Sequence, residues 1–559
     1  MKNRFGLFVC LVLSMPAFAQ IGNKPAKYWV EFTDKNDSPF CTCRPAEFLS
    51  ARAIDRRARA GIAVVENDLP VNPAYLEKLK ATGAKIHHTS RWLNAATLLT
   101  DSTTAAQIAT FPFVKKVEYI GWHIKPRNKP NPPLKTRKPL ATSPKAEGGD
   151  PVFGYATMQN SMLGTHFLYH LGCRGEGIWV AVMDGGFTNV DALPFFDSSA
   201  THNRLFSGWD FVERDQYVFE DAAHGTSVLS VMAANIPGYF VGTAPDATYF
   251  CLKTEDVGGE LPVEEANWIA GAEWADSIGV DIINASLGYT VFSDTSLGHR
   301  YLQLDGRTAI GSRGATIAAT KGMLICNSAG NSGDEPWHYI GVPADAPGVI
   351  AVGAADFEGR RASFSSFGPT ADGRIKPDLA APGEMLITAT TNGTDLGYSS
   401  GTSVASPMLV GGLAALWSAF PEKTAAEISD AAFASADQIF RPDNALGYGI
   451  PNLAFAYLRL GGYFDGLLLN DAKAVNTVFS FARSRGELSI LAVGNDFKNT
   501  HEVVLRNALG QEFRPKSLKI SQQRFQVLTL SGLENLPPGA YSVTLLREQS
   551  AARLFSIAF

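Results

Sequence analysis

The chain has 559 residues, 45% hydrophobic and 18% charged, which excludes a disordered chain and exceeds one ordinary core, so several domains are expected. The formal net charge of −5 gives no electrostatic footprint for nucleic acid, and none is expected as a partner.

The chain opens with "MKNRFGLFVCLVLSMPAFAQ". Lys2 and Arg4 precede an apolar run, and Ala17, Phe18 and Ala19 then supply the small-x-small pattern of a cleaved signal peptide. The run is too short for a stable anchor, and no later segment is apolar enough to span a bilayer. Residues 1–19 therefore predict export, to the outside or the cell surface. Cys10 follows bulky Phe8 and Val9 and is not read as a lipid-attachment site. Cys41, Cys43, Cys173, Cys251 and Cys326 remain after the signal. Cys251 and Cys326 lie in strand-like apolar runs, where buried free thiols are common, and no disulfide is predicted.

Residues 20–120 alternate elements. "KYWVEFT" reads as a strand, "PAYLEKLKATG" as a helix ending at Gly83, and "AKIHHTS" and "NAATLLT" as strands. "STTAAQIATF" then reads as a helix and "FVKKVEYI" as a last strand. The order β-α-β-β-α-β predicts a small ferredoxin-like unit. Residues 121–150, rich in Pro, Lys and Arg without periodicity, predict an extended linker open to proteolysis.

From 151 to 460 the pattern becomes strand, helix, strand. "GIWVAVMD", "ATYFCLK", "VDIINASLG", "GMLICNSAG" and "GVIAVGA" are near-continuous apolar runs, as in parallel strands buried on both faces. "PVEEANWIAGAEWADSIG" and "RTAIGSRGATIAATKG" carry helical spacing between them. This is an α/β doubly wound, parallel-sheet domain. Residues 461–559 hold short alternating runs ("TVFSFA", "ELSILAV", "EVVLRNA", "QVLTLSGL", "AYSVTLLR") and predict an antiparallel C-terminal β-sandwich.

In parallel sheets, functional groups gather at the carboxyl ends of strands. Asp184 ends "GIWVAVMD", His224 precedes an apolar helical run, and Asn331 sits in a glycine-flanked loop after "GMLIC". Each alone reads as a turn or cap residue. Ser403 lies in "YSSGTSVASPMLVGGLAALW", the polar start of a buried helix in which Pro407 is compatible with a first turn. A helix start favours negative charge. Together they supply what acyl transfer needs: a nucleophile, a base, a carboxylate to orient the base, and an oxyanion donor. The order Asp, His, Asn, Ser differs from that of nucleophile-elbow hydrolases, and no G-x-S-x-G surrounds Ser403.

"VAVMDGGF", "HGTSV", "GTAPDA", "INASLG", "SAGNSG", "SFSSFGPTADGRIKPDLAAPG", "GTSVASP" and the closing "LGYGIPNLAFA" together resemble the subtilisin-like serine proteases over about residues 155–456. The resemblance implies a subtilisin-like fold, Asp184, His224 and Ser403 as the triad, and Asn331 with the Ser403 N–H as the oxyanion hole. It implies that Ser286, Leu287, Gly288, Ser328, Ala329 and Gly330 bind substrate backbone and wall the first specificity pocket, with Gly341 at its base. It implies polypeptide substrates and no cofactor for the chemistry. Family members often hold structural calcium, but no loop carboxylates here have a spacing that assigns it. Two positions depart from the family pattern. Gly185 replaces a Thr or Ser, removing a hydroxyl beside the acid, and Tyr289 replaces a glycine, which would narrow the cleft. The N-terminal unit resembles the family's inhibitory propeptides, with an insertion from about 38 to 70, so the resemblance implies a zymogen. "LRNALGQEF" and "LTLSGLENLPPGAYSVTLLR" resemble the sorting domain used in type IX secretion by Bacteroidetes-type bacteria, which makes secretion machinery an expected partner. A catalytically silent adhesion module would be expected to lack a triad member, and the acid-active branch of the fold would lack the His of "HGTSV"; the chain keeps both.

Overall fold

The computed structural model describes residues 24–122, 151–462 and, between 478 and 558, the strands with short stretches beside them. The export segment 1–19 and nearly all of the linker lie outside the described residues.

The N-terminal unit runs β1 (Ala26–Phe32), α1 (Ala51–Arg59), α2 (Pro73–Ala81), β2 (Lys85–Ser90), β3 (Ala95–Thr100), α3 (Ser102–Ile108) and β4 (Val114–Trp122). Its sheet has the order β2-β3-β1-β4, antiparallel throughout. The helices start where local chemistry dictates. Asn72 accepts from the Ala74 N–H ahead of Pro73, and Asp101 accepts from the Thr104 N–H. Val30, Phe32, Leu79, Leu98 and Ile108 form the core. The predicted β-α-β-β-α-β frame is present, with two differences. β4 runs two residues past the expected boundary because Lys27 and Ala26 still find partners in Gly121 and Trp122. The insertion carries α1 and a disulfide between Cys41 and Cys43, which the sequence reading does not predict; a turn at 41–44 (Arg44 N–H to Cys41 C=O, 3.1 Å) brings their Cα atoms to 5.2 Å.

The second unit contains α4 (Thr157–Met162), α5 (Thr165–His170), β5 (Trp179–Asp184), α6 (Asp197–Thr201), β6 (Leu205–Asp210), α7 (His224–Ala233), β7 (Asn235–Ile236), β8 (Phe240–Val241) and β9 (Thr248–Lys253). It continues with α8 (Val263–Ile278), β10 (Ile282–Ala285), α9 (Ile310–Ala319), β11 (Leu324–Ser328), β12 (Val349–Ala355) and β13 (Leu379–Pro382). It closes with the hairpin β14 (Leu386–Ala389) and β15 (Leu396–Ser399), then α10 (Thr402–Ser418), α11 (Ala425–Ala434) and α12 (Leu453–Arg459). Seven parallel strands form one sheet in the order β13-β12-β11-β10-β5-β9-β6. All five apolar runs are strands of it; the edge strands β6 and β13 were not expected, their sequences being short or mixed.

Strand alternation divides the core in two. Val180, Val182, Cys251 and Cys326 pack with α7 and α10 on one face. Ala181, Met183, Leu252 and Ile325 pack with α8 and α9 on the other, where Trp29, Trp92 and Ile120 of the N-terminal unit join them. Among the described residues from 478 to 558 there are two four-stranded antiparallel sheets, β16 (Val478–Ser484), β17 (Glu487–Ala492), β21 (Gln526–Ser531) and β20 (Ser517–Gln522), and β19 (Glu512–Phe513), β18 (Thr500–Asn507), β22 (Ala540–Arg547) and β23 (Ser550–Ala558).

The two N-terminal units meet through buried ions. Asp276 of α8, fully buried, accepts from Arg57 and Arg91 at 2.7 Å each and pairs with Arg56. Asp68 receives Arg57 at 3.0 Å and Lys321 at 2.8 Å. Glu273, one turn before Asp276, accepts from Ser90 Oγ (2.6 Å), Arg91 N–H (2.9 Å) and Trp92 N–H (3.1 Å). Asp276→Ala leaves three guanidiniums facing one another and is expected to cost about 3–5 kcal/mol, read as a lower urea midpoint. Glu77→Ala, which breaks only the exposed pair with Lys80, is expected to change the midpoint by less than about 1 kcal/mol.

Candidate active site

Asp184, Ser286 and Asn331 stand at or just past the carboxyl ends of parallel strands, and His224 and Ser403 lie in the first turns of α7 and α10. Asp184 closes β5 and is buried to 1% exposure. Its carbonyl accepts from the Thr254 N–H at 3.0 Å, and its Oδ1 from the Gly185 N–H at 2.8 Å. A main-chain donor thus serves the carboxylate at the position where a hydroxyl side chain is missing. His224 opens α7 and donates its Nδ1–H to Asp184, with Oδ2 at 2.8 Å and Oδ1 at 3.0 Å. The acid is buried while the imidazole side chain stays 47% exposed. The negative charge of Asp184 raises the His224 pKa above the ordinary histidine value, against burial, which pulls it down.

Ser403 lies in the first turn of α10, which packs against α7. Pro407 is not in a first turn, as expected, but sixth in the helix. With no N–H, it cannot donate to the carbonyl four residues back, which is that of Ser403. Ser286 Oγ donates to that carbonyl instead, at 2.8 Å. Asn284 Nδ2 donates to Ser286 Oγ at 3.0 Å, and Ser406 Oγ to Asn284 Oδ1 at 2.8 Å.

Asn331 follows β11. Its Oδ1 accepts from the Thr402 N–H at 2.8 Å and from Thr402 Oγ1 at 2.9 Å. A backbone N–H can only face the amide oxygen, so the NH₂ end points elsewhere. It and the Ser403 hydroxyl both lie beside Gly401: a Cβ there would lie 2.9 Å from Ser403 Oγ and 3.4 Å from Asn331 Nδ2. The two groups share one small space, and glycine at 401 keeps it open.

The segments 286–288 and 328–330 are tied together. Ser328 Oγ donates to the Leu287 carbonyl at 3.1 Å, and Asn327 Nδ2 to the same oxygen at 2.8 Å. Gly341 sits between them, its N–H bonded to the Ala329 carbonyl, and a Cβ there would lie 3.5 Å from Gly288 Cα. Tyr289 does not occupy the cleft as expected. Its ring is fully buried and its hydroxyl donates to Glu255 Oε1 at 2.7 Å. Thr402, Asn284 and Ser406 escaped sequence reasoning because a hydroxyl or amide that orients another polar group leaves no pattern of its own.

Glu255, Glu260 and Glu264 bring three carboxylates within 4.8 Å. Burial raises the pKa of Glu255 and Glu264; the charge of Glu255 raises that of Glu264 further, and the charges of Glu260 and Asp184 raise that of Glu255. Both Glu264 oxygens accept backbone N–H groups, from Asp256 and Leu261, and Glu255 Oε1 accepts from Tyr289 and Thr254. No helix among the described residues is long and apolar enough to cross a membrane.

Residues 175–449 match the model of the subtilase family, and residues 27–136 the model of the peptidase S8 propeptide domain of Bacteroidota. A subtilisin of Bacillus pumilus is 33% identical over 267 residues, 47% of this chain and 85% of its own length. The chain belongs to the subtilase family. Subtilisin NAT of Bacillus subtilis subsp. natto is also 33% identical over 267 residues, 47% of this chain and 61% of its length. A thermostable alkaline protease of Halalkalibacterium halodurans is 32% identical over 265 residues, 47% of this chain and 63% of its length. The subtilase thus spans about three fifths of the length of these last two relatives.

In this subtilase, the Asp184–His224 contact makes a direct prediction. The His224 ring, followed by NMR, is expected to titrate above the ordinary histidine value. Asp184→Asn removes the attraction and leaves the opposing burial, so the titration should move to lower pH. An unchanged midpoint would show that the pair does not interact in solution.

Proposed function

We propose that this subtilase is a secreted serine endopeptidase made as a zymogen. The observation that supports this most is the space shared by Ser403 Oγ and the NH₂ of Asn331, on a helix packed against the one that opens with the Asp184-bonded His224. Ser403 attacks the scissile carbonyl of a polypeptide while His224 takes its proton through Nε2. Asp184 holds the Nδ1–H tautomer and stabilises the imidazolium. The oxyanion receives hydrogen bonds from Asn331 Nδ2 and the Ser403 N–H. His224 then returns the proton to the leaving amine, and water, deprotonated by His224, hydrolyses the acyl-enzyme. No cofactor enters these steps. Segments 286–288 and 328–330 bind the substrate backbone and wall the first pocket, with Gly341 at its base.

The N-terminal unit serves as the inhibitory propeptide, supported by the family match at 27–136 and by its docking on α8, and cleavage falls in the basic linker. Residues 1–19 direct export, and residues 461–559 serve as a sorting domain read by a type IX machinery. Deleting 461–559 would then leave the enzyme cell-associated, as fractionation and immunoblotting would show; undiminished release would refute the sorting role.

A serine-directed phosphonofluoridate should label the mature protein at Ser403, and Ser403→Ala should abolish both labelling and casein cleavage. Asn331→Ala should lower kcat about a hundred- to a thousand-fold. Gly401→Ala, whose methyl group would fill the shared space, should act through kcat similarly. Full casein cleavage by Ser403→Ala would sink the reading.

A further inference from the structure

We propose that Lys253 is a positioning residue for His224, an inference that rests on the protease reading above. Lys253 is the last residue of β9 and the register partner of Asp184. Its ammonium group is buried, 2% exposed, between two carboxylates. It donates to Asp210 Oδ2 at 2.8 Å and to Asp221 Oδ2 at 2.7 Å. Asp210 ends β6, and its other oxygen accepts from the Val212 and Glu213 N–H groups. Asp221 stands three residues before His224, in the left-handed region at φ 68°.

The segment carrying Asp221 is fitted closely to the turn after Asp184. The Phe187, Thr188 and Asn189 N–H groups donate to the Val218, Ala222 and Phe219 carbonyls. A Cβ at Gly186 would lie 2.1 Å from the Glu220 carbonyl oxygen, and one at Gly225 would lie 2.2 Å from that of Gly186. With no slack between these loops, displacing Asp221 displaces His224 relative to Asp184. Lys253 holds Asp221 from the sheet side, and its neighbour Thr254 holds the Asp184 carbonyl. Two consecutive residues, the last of β9 and the one that follows it, thus fix both partners of the acid–base pair. An error of about 1 Å in such geometry can cost about a hundredfold in rate.

The test compares active-site-titrated, full-length variants after processing. Asp221→Gly suits the left-handed backbone and leaves Lys253 paired with Asp210. It is expected to lower kcat about ten- to a hundred-fold with KM within about twofold. Lys253→Met should match it where it folds. Asp210→Asn, which keeps Lys253 bonded to Asp221, should lower the melting temperature but hold kcat within about twofold. The inference is overturned if titrated Asp221→Gly keeps its kcat, if the loss appears in KM, or if Asp210→Asn loses as much kcat. An inactive wild-type enzyme would instead defeat the protease reading itself.

Discussion

The first turn of α10 is the constraint on which the site depends, and a missing hydrogen bond fixes it. Pro407 leaves the Ser403 carbonyl without its helical donor. A buried carbonyl left unpaired costs about 1–3 kcal/mol, so the helix start holds its position only where another donor meets it. Ser286, just past the end of β10, meets it. The Ser406–Asn284–Ser286 chain then couples α10 to β10 at three residues. The same contact sets Ser403 against segment 286–288, so the helix and the backbone-lining segment cannot shift independently. Thr402 extends the coupling to β11 through Asn331 and through the Gly330 N–H, which donates to Thr402 Oγ1 at 3.1 Å.

The opposite face of the sheet obeys a different constraint. α8 carries Glu264, Glu265, Glu273 and Asp276, residue types that ordinarily face solvent. In the structure all four are buried. The N-terminal unit covers Glu273 and Asp276 with Arg56, Arg57, Arg91 and the main chain of 91–92, so the face that looks solvated is an interface. No periodicity distinguishes a carboxylate that faces water from one that faces another unit's guanidinium.

That difference marks what was legible. The apolar runs forecast the central strands, and with them Asp184 at a strand end, Asn331 in the loop after a strand and His224 ahead of a helix. The helices read from Pro73 and Ser102 start there, whereas the run read from Arg307 becomes helical only at Ile310. What stayed hidden involves pairs distant in sequence: Ser286 with Ser403, Thr402 with Asn331, Lys253 with Asp221, Tyr289 with Glu255. Tyr289 shows why. Its side of the strand decides between blocking the cleft and packing beneath it, and the residue's identity is silent on that choice. The Cys41–Cys43 bridge was missed for the converse reason: its partners are so near in sequence that the reading offered no loop worth closing.

The two buried ionic clusters do different physical work. Lys253, Asp210 and Asp221 belong to one unit, and separating them requires unfolding, so their geometry persists as long as the sheet does. Asp276, Asp68 and their four cations straddle two units joined by a basic, Pro-rich linker. Buried ion pairs set orientation more than net affinity, because desolvation offsets much of their attraction. When such an interface opens, the carboxylates and guanidiniums recover hydration, whereas an apolar face of equal area would not. The charges therefore define how the N-terminal unit sits on α8, and the burial of Trp29, Trp92 and Ile120 in the same face adds apolar attraction without direction.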